Sequence, residues 1–155
     1  MAEALAVVGV VANIVQLVGF SSKILHRLEE FHSSAGEVPK SFCHIKTELP
    51  ALQDTLRQTK EAIDAGFVGD ETKRALLSTI QGCWEQTTQL DALLAKTLPQ
   101  PSDSLGTKNK KAVISLHQDA KVESITKILR SYIETLTFYY AATSSTLRPL
   151  TGSVS

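Results

Sequence analysis

The chain begins with a segment so apolar that either other parts of the protein or lipid must cover it. Between Ala4 and Phe20 the only polar side chains are Asn13 and Gln16. Apolar residues recur at spacings of three and four, which is typical of one face of an α-helix. The predicted stripe consists of Ala4, Val7, Val11, Ile14, Val18 and Leu25. Four more apolar residues widen it: Val8, Val10, Val15 and Leu17. We predict a helix over residues 2–31 with a weak point at residues 19–22.

This segment is a poor candidate for a permanent membrane span or a secretory signal. A transmembrane helix needs about 20 consecutive apolar residues, and the run between Leu5 and Phe20 is shorter and interrupted by Asn13 and Gln16. A signal peptide begins with basic residues, whereas the only charged side chain before Lys23 is that of Glu3. We therefore expect a helix that protein covers at rest. Whether this helix is ever released to a membrane stays open.

Three more segments have helical periodicity, and turn-forming stretches separate them. The predicted helices cover residues 39–65, 70–98 and 108–146, and no segment alternates as a strand would. Long amphipathic helices with short connections predict an all-α fold, an antiparallel helical bundle of four long helices. We expect one effector domain over residues 1–147. The remaining residues, 148–155, are expected to form a flexible tail or a severed linker to a missing downstream module.

Local signals set the expected ends and bends of these helices. Pro50 lies inside the second helix and predicts a kink just before it, because proline lacks a backbone N–H and clashes with the preceding turn. Gly66 is suited to end that helix, and Asp70 is suited to cap the start of the third. The fourth helix is either continuous or bent into two near Gln118 and Asp119.

Composition and motifs argue against several classes of function. Lysine plus arginine equals aspartate plus glutamate at 16 each, so no net charge attracts nucleic acid. Cys43 and Cys83 each lie on a predicted apolar stripe, which indicates small core residues in a reducing compartment. The four histidines do not converge on one face, and neither a nucleophile elbow nor a phosphate loop occurs. We predict no enzyme, no catalytic or metal site and no cofactor.

Aromatic and basic side chains supply the other candidates. Trp84 and the aromatic residues between 132 and 140 lie at helical spacing and indicate core or subunit interface. Tyr139 and Tyr140 are adjacent, so only one of them can face inward and the other is a candidate contact. The lysines at the predicted start of the fourth helix are either solvated or in contact with anionic lipid headgroups; they are Lys108, Lys110 and Lys111.

Several stretches of the sequence resemble one family. They read MAEALAVVGVVANIVQLV followed by FSSKIL at the start, then HIKTELPALQDTL, GCWEQ and SITKILRSYIETL. These stretches resemble the N-terminal domain of fungal NLR-like STAND receptors. That domain is called SesA-like or NACHT-associated N-terminal, and it is related to the HeLo and HeLo-like domains. The resemblance extends from Met1 to about Thr151.

The resemblance implies an effector domain in fungal innate immunity and heterokaryon incompatibility, with a nucleotide-binding receptor module downstream in cis. It further implies programmed cell death by homo-oligomerisation and membrane insertion of the N-terminal helix. The protein would be cytoplasmic and relocate to the plasma membrane on activation. The residues expected to interact with the membrane are Glu3, Leu5, Val7, Val8, Val11, Ile14, Val15 and Val18.

Two other interpretations remain open. In the first, the domain is an adaptor that recruits a separate effector by protein contacts and never touches lipid. Its functional surface would include Arg57, Lys60, Glu61 and Arg74. In the second, the domain is a structural bundle that dimerises, and the first helix completes a core across a two-fold axis.

Overall fold

The computed structural model describes residues 2–35, 40–97 and 104–152, and nearly all of them are helical. The helices are α1 (Ala2–Ala35), α2 (Lys40–Asp64), α3 (Asp70–Thr97) and α4 (Leu105–Gly152). No strand occurs within these ranges, so the prediction of an all-helical chain is confirmed. Side chains are described for residues 9–32, 40, 42–97, 104–108, 111 and 118–141.

Helix α2 ends where a glycine follows it. Gly66 has a φ of 79°, a left-handed conformation that glycine adopts without steric cost. The Phe67 N–H donates to the Ala62 carbonyl at 3.0 Å, and the Gly66 N–H donates to the Ile63 carbonyl at 3.0 Å. This pair of bonds is the Schellman motif, which satisfies the last carbonyls of a helix. The predicted end of the second helix is confirmed.

The starts of α3 and α4 differ from prediction. The Lys73 N–H donates to the Gly69 carbonyl at 3.0 Å, so Gly69 is the N-cap and Asp70 is the first helical residue. The prediction of Asp70 as the cap is wrong by one position, although its carboxylate still lies at the positive end of the helix dipole. Helix α4 begins three residues earlier than predicted, because Ser104 Oγ accepts a hydrogen bond from the Thr107 N–H at 3.2 Å.

The helices continue through their expected weak points. Helix α1 is helical through Gly19 and Ser22, and α2 continues through Pro50 as one element. Helix α4 is unbroken at Gln118 and Asp119. The predicted tail, residues 148–155, lies partly in α4, which ends at Gly152, and partly in residues 153–155 outside the described ranges.

Helix α1 packs against α2 and α3, and α4 packs against the same two helices. The ring centroids of Phe20 and Trp84 are 5.3 Å apart, and Arg27 Nη1 donates to Asp91 Oδ1 at 2.9 Å. In each pair the two residues are 64 positions apart in the sequence, so α1 and α3 run side by side in the same direction. Within the described residues, α1 and α4 lie on opposite sides of the core.

Helices α2 and α4 also run in the same direction. Arg130 Nε and Nη2 donate to Glu48 Oε1 at 2.9 and 2.6 Å. About three turns further along both helices, Thr59 and Tyr139 line the same small cavity. The two pairs of parallel neighbours enclose one hydrophobic core.

The core face of α1 differs from the predicted stripe. Its fully buried residues, each at most 1% exposed, are Val10, Ile14, Leu17, Ser21, Ile24 and Leu28. Three residues of the predicted stripe, Val11, Val18 and Leu25, are only half-buried at its flank. The first half of α1 is apolar on nearly every side, so more than one stripe fits its periodicity. The positions of α2 and α3 determine which of these stripes is buried.

Candidate functional site

The first half of α1 carries apolar side chains on its outer side as well as on its core face. Val15 is 53% exposed, and Ala12 and Gly19 are exposed on the same side of the helix. Val11 and Val18 are half-buried along its edge. We call these five residues the outer strip of α1 (Val11, Ala12, Val15, Val18 and Gly19); the two valines at its edge also pack against the core. Apolar side chains left in water this way are suited to a partner surface.

The residues predicted to interact with a membrane do not all lie on the outer strip. Ile14 is 1% exposed and belongs to the core, whereas Val11, Val15 and Val18 lie on the strip. The prediction also names residues of the α1 tip whose backbone is helical but whose side chains lie outside the described residues. They are Glu3, Leu5, Val7 and Val8.

Gln53 of α2 holds the middle of α1. Its Nε2 donates to the Val18 carbonyl at 3.1 Å and to Ser22 Oγ at 2.8 Å. Ser22 Oγ in turn donates to the same Val18 carbonyl at 3.1 Å. Gln53 is 7% exposed, so its amide group is satisfied by α1 rather than by bulk water. The sequence gives no sign of this contact, because a lone glutamine on an amphipathic helix normally faces solvent.

A half-open groove of about 540 Å³ lies between α1 and α3. One side of it is formed by Asn13 and Gln16 of α1, the two polar residues that interrupt the apolar segment. The α3 side is formed by Ile80, Gln81, Trp84 and Glu85. The aromatic pattern predicts Trp84 as a contact residue but not the groove, because the groove depends on the alignment of two helices 64 positions apart.

The charged side chains proposed for an adaptor surface pair along their own helix. Arg57 Nη1 lies 3.4 Å from Asp54 Oδ1, and Lys60 Nζ lies 2.6 Å from Asp64 Oδ2. Both pairs are on α2, and the fourth proposed residue, Arg74, is on α3. Helices α2 and α3 do not pack against each other within the described residues, so the structure does not join these charges into one cluster.

The basic cluster at the start of α4 is only partly described. Lys108 and Lys111 are half-buried, and the side chain of Lys110 lies outside the described residues. The tyrosine pair behaves as predicted, with Tyr139 half-buried and Tyr140 39% exposed.

The cysteines differ from each other. Cys83 is fully buried in the core, as predicted, and burial raises the pKa of its thiol to about 12. Cys43 is exposed, which corrects the prediction that both cysteines are core residues. Cys43 follows Phe42, and the backbone of α2 turns Phe42 rather than Cys43 into the core.

A family model identifies the chain. The model for SesA, an N-terminal domain on NACHT NTPases and P-loop NTPases, matches residues 11–136. That match covers well over half of the 155 residues. The chain belongs to the SesA family. No curated protein and no solved structure matches it.

The match places the SesA domain on the described fold. It begins at Val11 in α1 and ends at Leu136 in α4, so it contains Gln53, the α1–α3 groove and the whole outer strip. In the part of this SesA domain that the structure describes, no helix is long and apolar enough to cross a membrane. The same residues contain no group of three or more metal-ligating side chains.

Proposed function

We propose that this SesA domain is the N-terminal effector domain of a fungal NLR-like receptor. It acts in innate immunity and heterokaryon incompatibility, and the related HeLo and HeLo-like domains act in the same way. A NACHT-type module follows it in cis and brings several copies together. Helix α1 then leaves its bundle and inserts into the plasma membrane, which kills the cell. The domain is cytoplasmic until that step.

The observation that carries this proposal is the outer strip of α1. A helix that serves only to complete a core needs apolar side chains on one face, and the opposite face is then polar. Here Val15 is 53% exposed, and no charged residue lies between Val10 and Gly19. Once the core face is also uncovered, this half of α1 offers lipid an apolar surface on almost every side.

The resting state holds α1 firmly. In the bundle that we propose for this state, helices consecutive in the chain run antiparallel: Tyr132 lies at Gly82 while Tyr139 lies beside Leu76, so α3 and α4 run in opposite directions. Burial of a large apolar side chain stabilises by about 1.5–3 kcal/mol. The five such side chains that α1 buries, Val10, Ile14, Leu17, Ile24 and Leu28, together contribute about 8–15 kcal/mol.

This contribution is a gross one, and the conformational entropy that α1 regains on release offsets part of it. The remainder opposes spontaneous release of α1, so activation requires both a trigger and a new environment for the helix. Oligomerisation supplies the first, because linked copies raise the effective concentration of helices at one site on the membrane. Lys108, Lys110 and Lys111 assist by contact with anionic headgroups, at about 1 kcal/mol each.

The test uses the full chain fused at its C terminus to a domain that oligomerises on addition of a small molecule. Val15→Glu places a charge on the outer strip without disturbing the core, because Val15 is exposed. Phe138→Glu is the matched control, since Phe138 is 68% exposed on α4. We expect induced toxicity in fungal cells and leakage of anionic vesicles for the parent and for Phe138→Glu, and neither for Val15→Glu. Equal activity of all three proteins would refute membrane insertion.

An adaptor function is the second candidate, and the α1–α3 groove favours it. The groove offers the amide groups of Asn13, Gln16 and Gln81 beside the partly exposed ring of Trp84. Aromatic side chains are enriched in the interfaces between proteins. If the domain is an adaptor, we expect the Val15→Glu variant to stay toxic and no protein to make vesicles leak. Toxicity is then abolished by Gln81→Glu or by the charge reversal of Arg57 and Lys60.

A further inference from the structure

The core contacts of α1 fall into two blocks separated by one polar residue. The N-terminal block consists of Val10, Ile14 and Leu17, and the C-terminal block consists of Ile24 and Leu28. Between them the buried position is Ser21, which is 0% exposed and whose Oγ makes no hydrogen bond with the described residues. A buried hydroxyl without a partner weakens packing at its own level. The apolar core face of α1 is therefore interrupted between the blocks, where the contact of Phe20 with Trp84 and the hydrogen bonds of Gln53 hold the helix instead.

Several donors also meet at one backbone carbonyl of α1 at this level. The Val18 carbonyl is the helical acceptor for the Ser22 N–H, and it also receives Ser22 Oγ at 3.1 Å and Gln53 Nε2 at 3.1 Å. A carbonyl has two lone pairs, so three donors compete for it. Side chains that insert into the helical ladder in this way are a known cause of helix bending. Gly19 lies in the same turn and lowers its helix propensity.

The two blocks differ in their ion pairs and polar contacts with the other helices. The C-terminal block is secured by the ion pair of Arg27 with Asp91 on α3, at 2.9 Å. Described side chains from Val10 to Leu17 make no ion pair, and Gln53 is the nearest polar contact to this block, at its boundary. Separation at Ser21 would thus free the N-terminal block alone.

We propose that α1 hinges in the turn between Val18 and Ser22, and that Gln53 is the latch that keeps the hinge closed. Residues 2–17 swing out of the bundle, while residues 23–35 stay docked through Ile24, Leu28 and Arg27. This inference rests on the proposed release of α1 and specifies which part of the helix moves. It reduces the apolar area that activation must uncover, because the C-terminal block stays buried.

Hydrogen exchange of the full chain in the absence of membranes tests the hinge. Gln53→Ala removes the latch, and Gln58→Ala, at an exposed position of the same helix, is the control. We expect amides of residues 2–17 to exchange about five- to tenfold faster in Gln53→Ala, as for the loss of about one hydrogen bond. Amides of residues 23–35 and all amides of Gln58→Ala keep their rates.

Two further variants act in the opposite direction. Ser21→Ala joins the two blocks with an apolar side chain, and Gly19→Ala strengthens the helix in the hinge turn. Both are expected to slow exchange of residues 2–17. Faster exchange spread evenly over α1 to α4 in Gln53→Ala, or no change in residues 2–17, would overturn the hinge. Vesicle leakage is measured separately: a hinge without leakage refutes membrane insertion alone, and leakage with uniform exchange refutes the hinge alone.

Discussion

The phenol ring of Tyr132 on α4 lies against the backbone of Gly82 on α3, in the space that a β-carbon at position 82 would occupy. The ring atoms there belong to a stiff side chain, which cannot move aside as a lysine or methionine would. Gly82 is part of the GCWEQ stretch on which the family resemblance rests. Its role is to allow α3 and α4 to approach closely.

Gly82→Ala should therefore destabilise the domain. Overpacking of a well-packed contact costs about 1–3 kcal/mol, of which the better helix propensity of alanine returns a part. We expect a net loss of about 1–2 kcal/mol and a Tm lower by roughly 2–8 °C, measured by circular dichroism. Gly19→Ala is the matched control, because a β-carbon there meets nothing within 4 Å; it should gain about 0.5–1 kcal/mol. Equal shifts in the two variants would contradict the contact.

The two interhelical ion pairs should differ in strength. Glu48 is 14% exposed, and its Oε1 accepts two hydrogen bonds from Arg130, which is 53% exposed. Arg27 and Asp91 are 36% and 34% exposed and are joined by one hydrogen bond. Double-mutant cycles with urea denaturation should give about 1–2 kcal/mol for the first pair. The second pair, with a single bond, should give about 0.5–1 kcal/mol. The reverse order would show that the number of hydrogen bonds does not control the strength of these pairs.

Cys83 should be unreactive in the folded protein. Burial raises the pKa of its thiol from 9.0 to about 12, so the thiolate that attacks disulfide reagents does not form at neutral pH. We expect Ellman's reagent to titrate Cys43 alone in native protein and both thiols in guanidinium chloride. Fast reaction of two thiols in the native state would contradict the burial of Cys83.

The same pKa difference makes stability depend on alkaline pH. The folded state keeps the Cys83 proton up to a higher pH than the unfolded state does, so the contribution is fully present below about pH 9. It is lost as the pH rises from about 9 to about 12. Denaturation midpoints should fall less steeply in Cys83→Ala than in the parent over that range.

Trp84 should report on the attachment of α1. It is the single tryptophan of the chain, and its ring lies 5.3 Å from that of Phe20. Phe20→Ala should move its emission to longer wavelength and increase acrylamide quenching, because water replaces the neighbouring ring. Phe67→Ala, at an exposed position outside the helices, serves as the control and should leave the spectrum unchanged.

The helices could be predicted from the sequence because their ends have local causes. Gly66 ends α2 through its own left-handed conformation, and the stripe of α3, which includes Leu76, Ile80, Cys83 and Leu90, is buried as predicted. The face of α1 could not be predicted in the same way. Several apolar stripes fit a segment without charges equally well, and the helices that pack against it determine which stripe is buried.

The candidate site was predicted only in part for the same reason. Val15 could be named because it lies in the apolar segment, but its exposure follows from where α2 and α3 sit. Gln53 was missed, since its partner is the backbone of a helix 31–35 positions earlier. Contacts that depend on such distant alignments leave no local signal in composition or spacing.

The parallel pairing of α1 with α3 has a consequence for synthesis of the chain. Helix α3 ends at Thr97, 62 residues after α1 ends at Ala35. At about 5–20 residues per second, translation of that interval takes roughly 3–12 s. During that time one side of the most apolar helix has no partner from its own chain. The nascent domain should therefore depend on chaperones at the ribosome until α3 emerges.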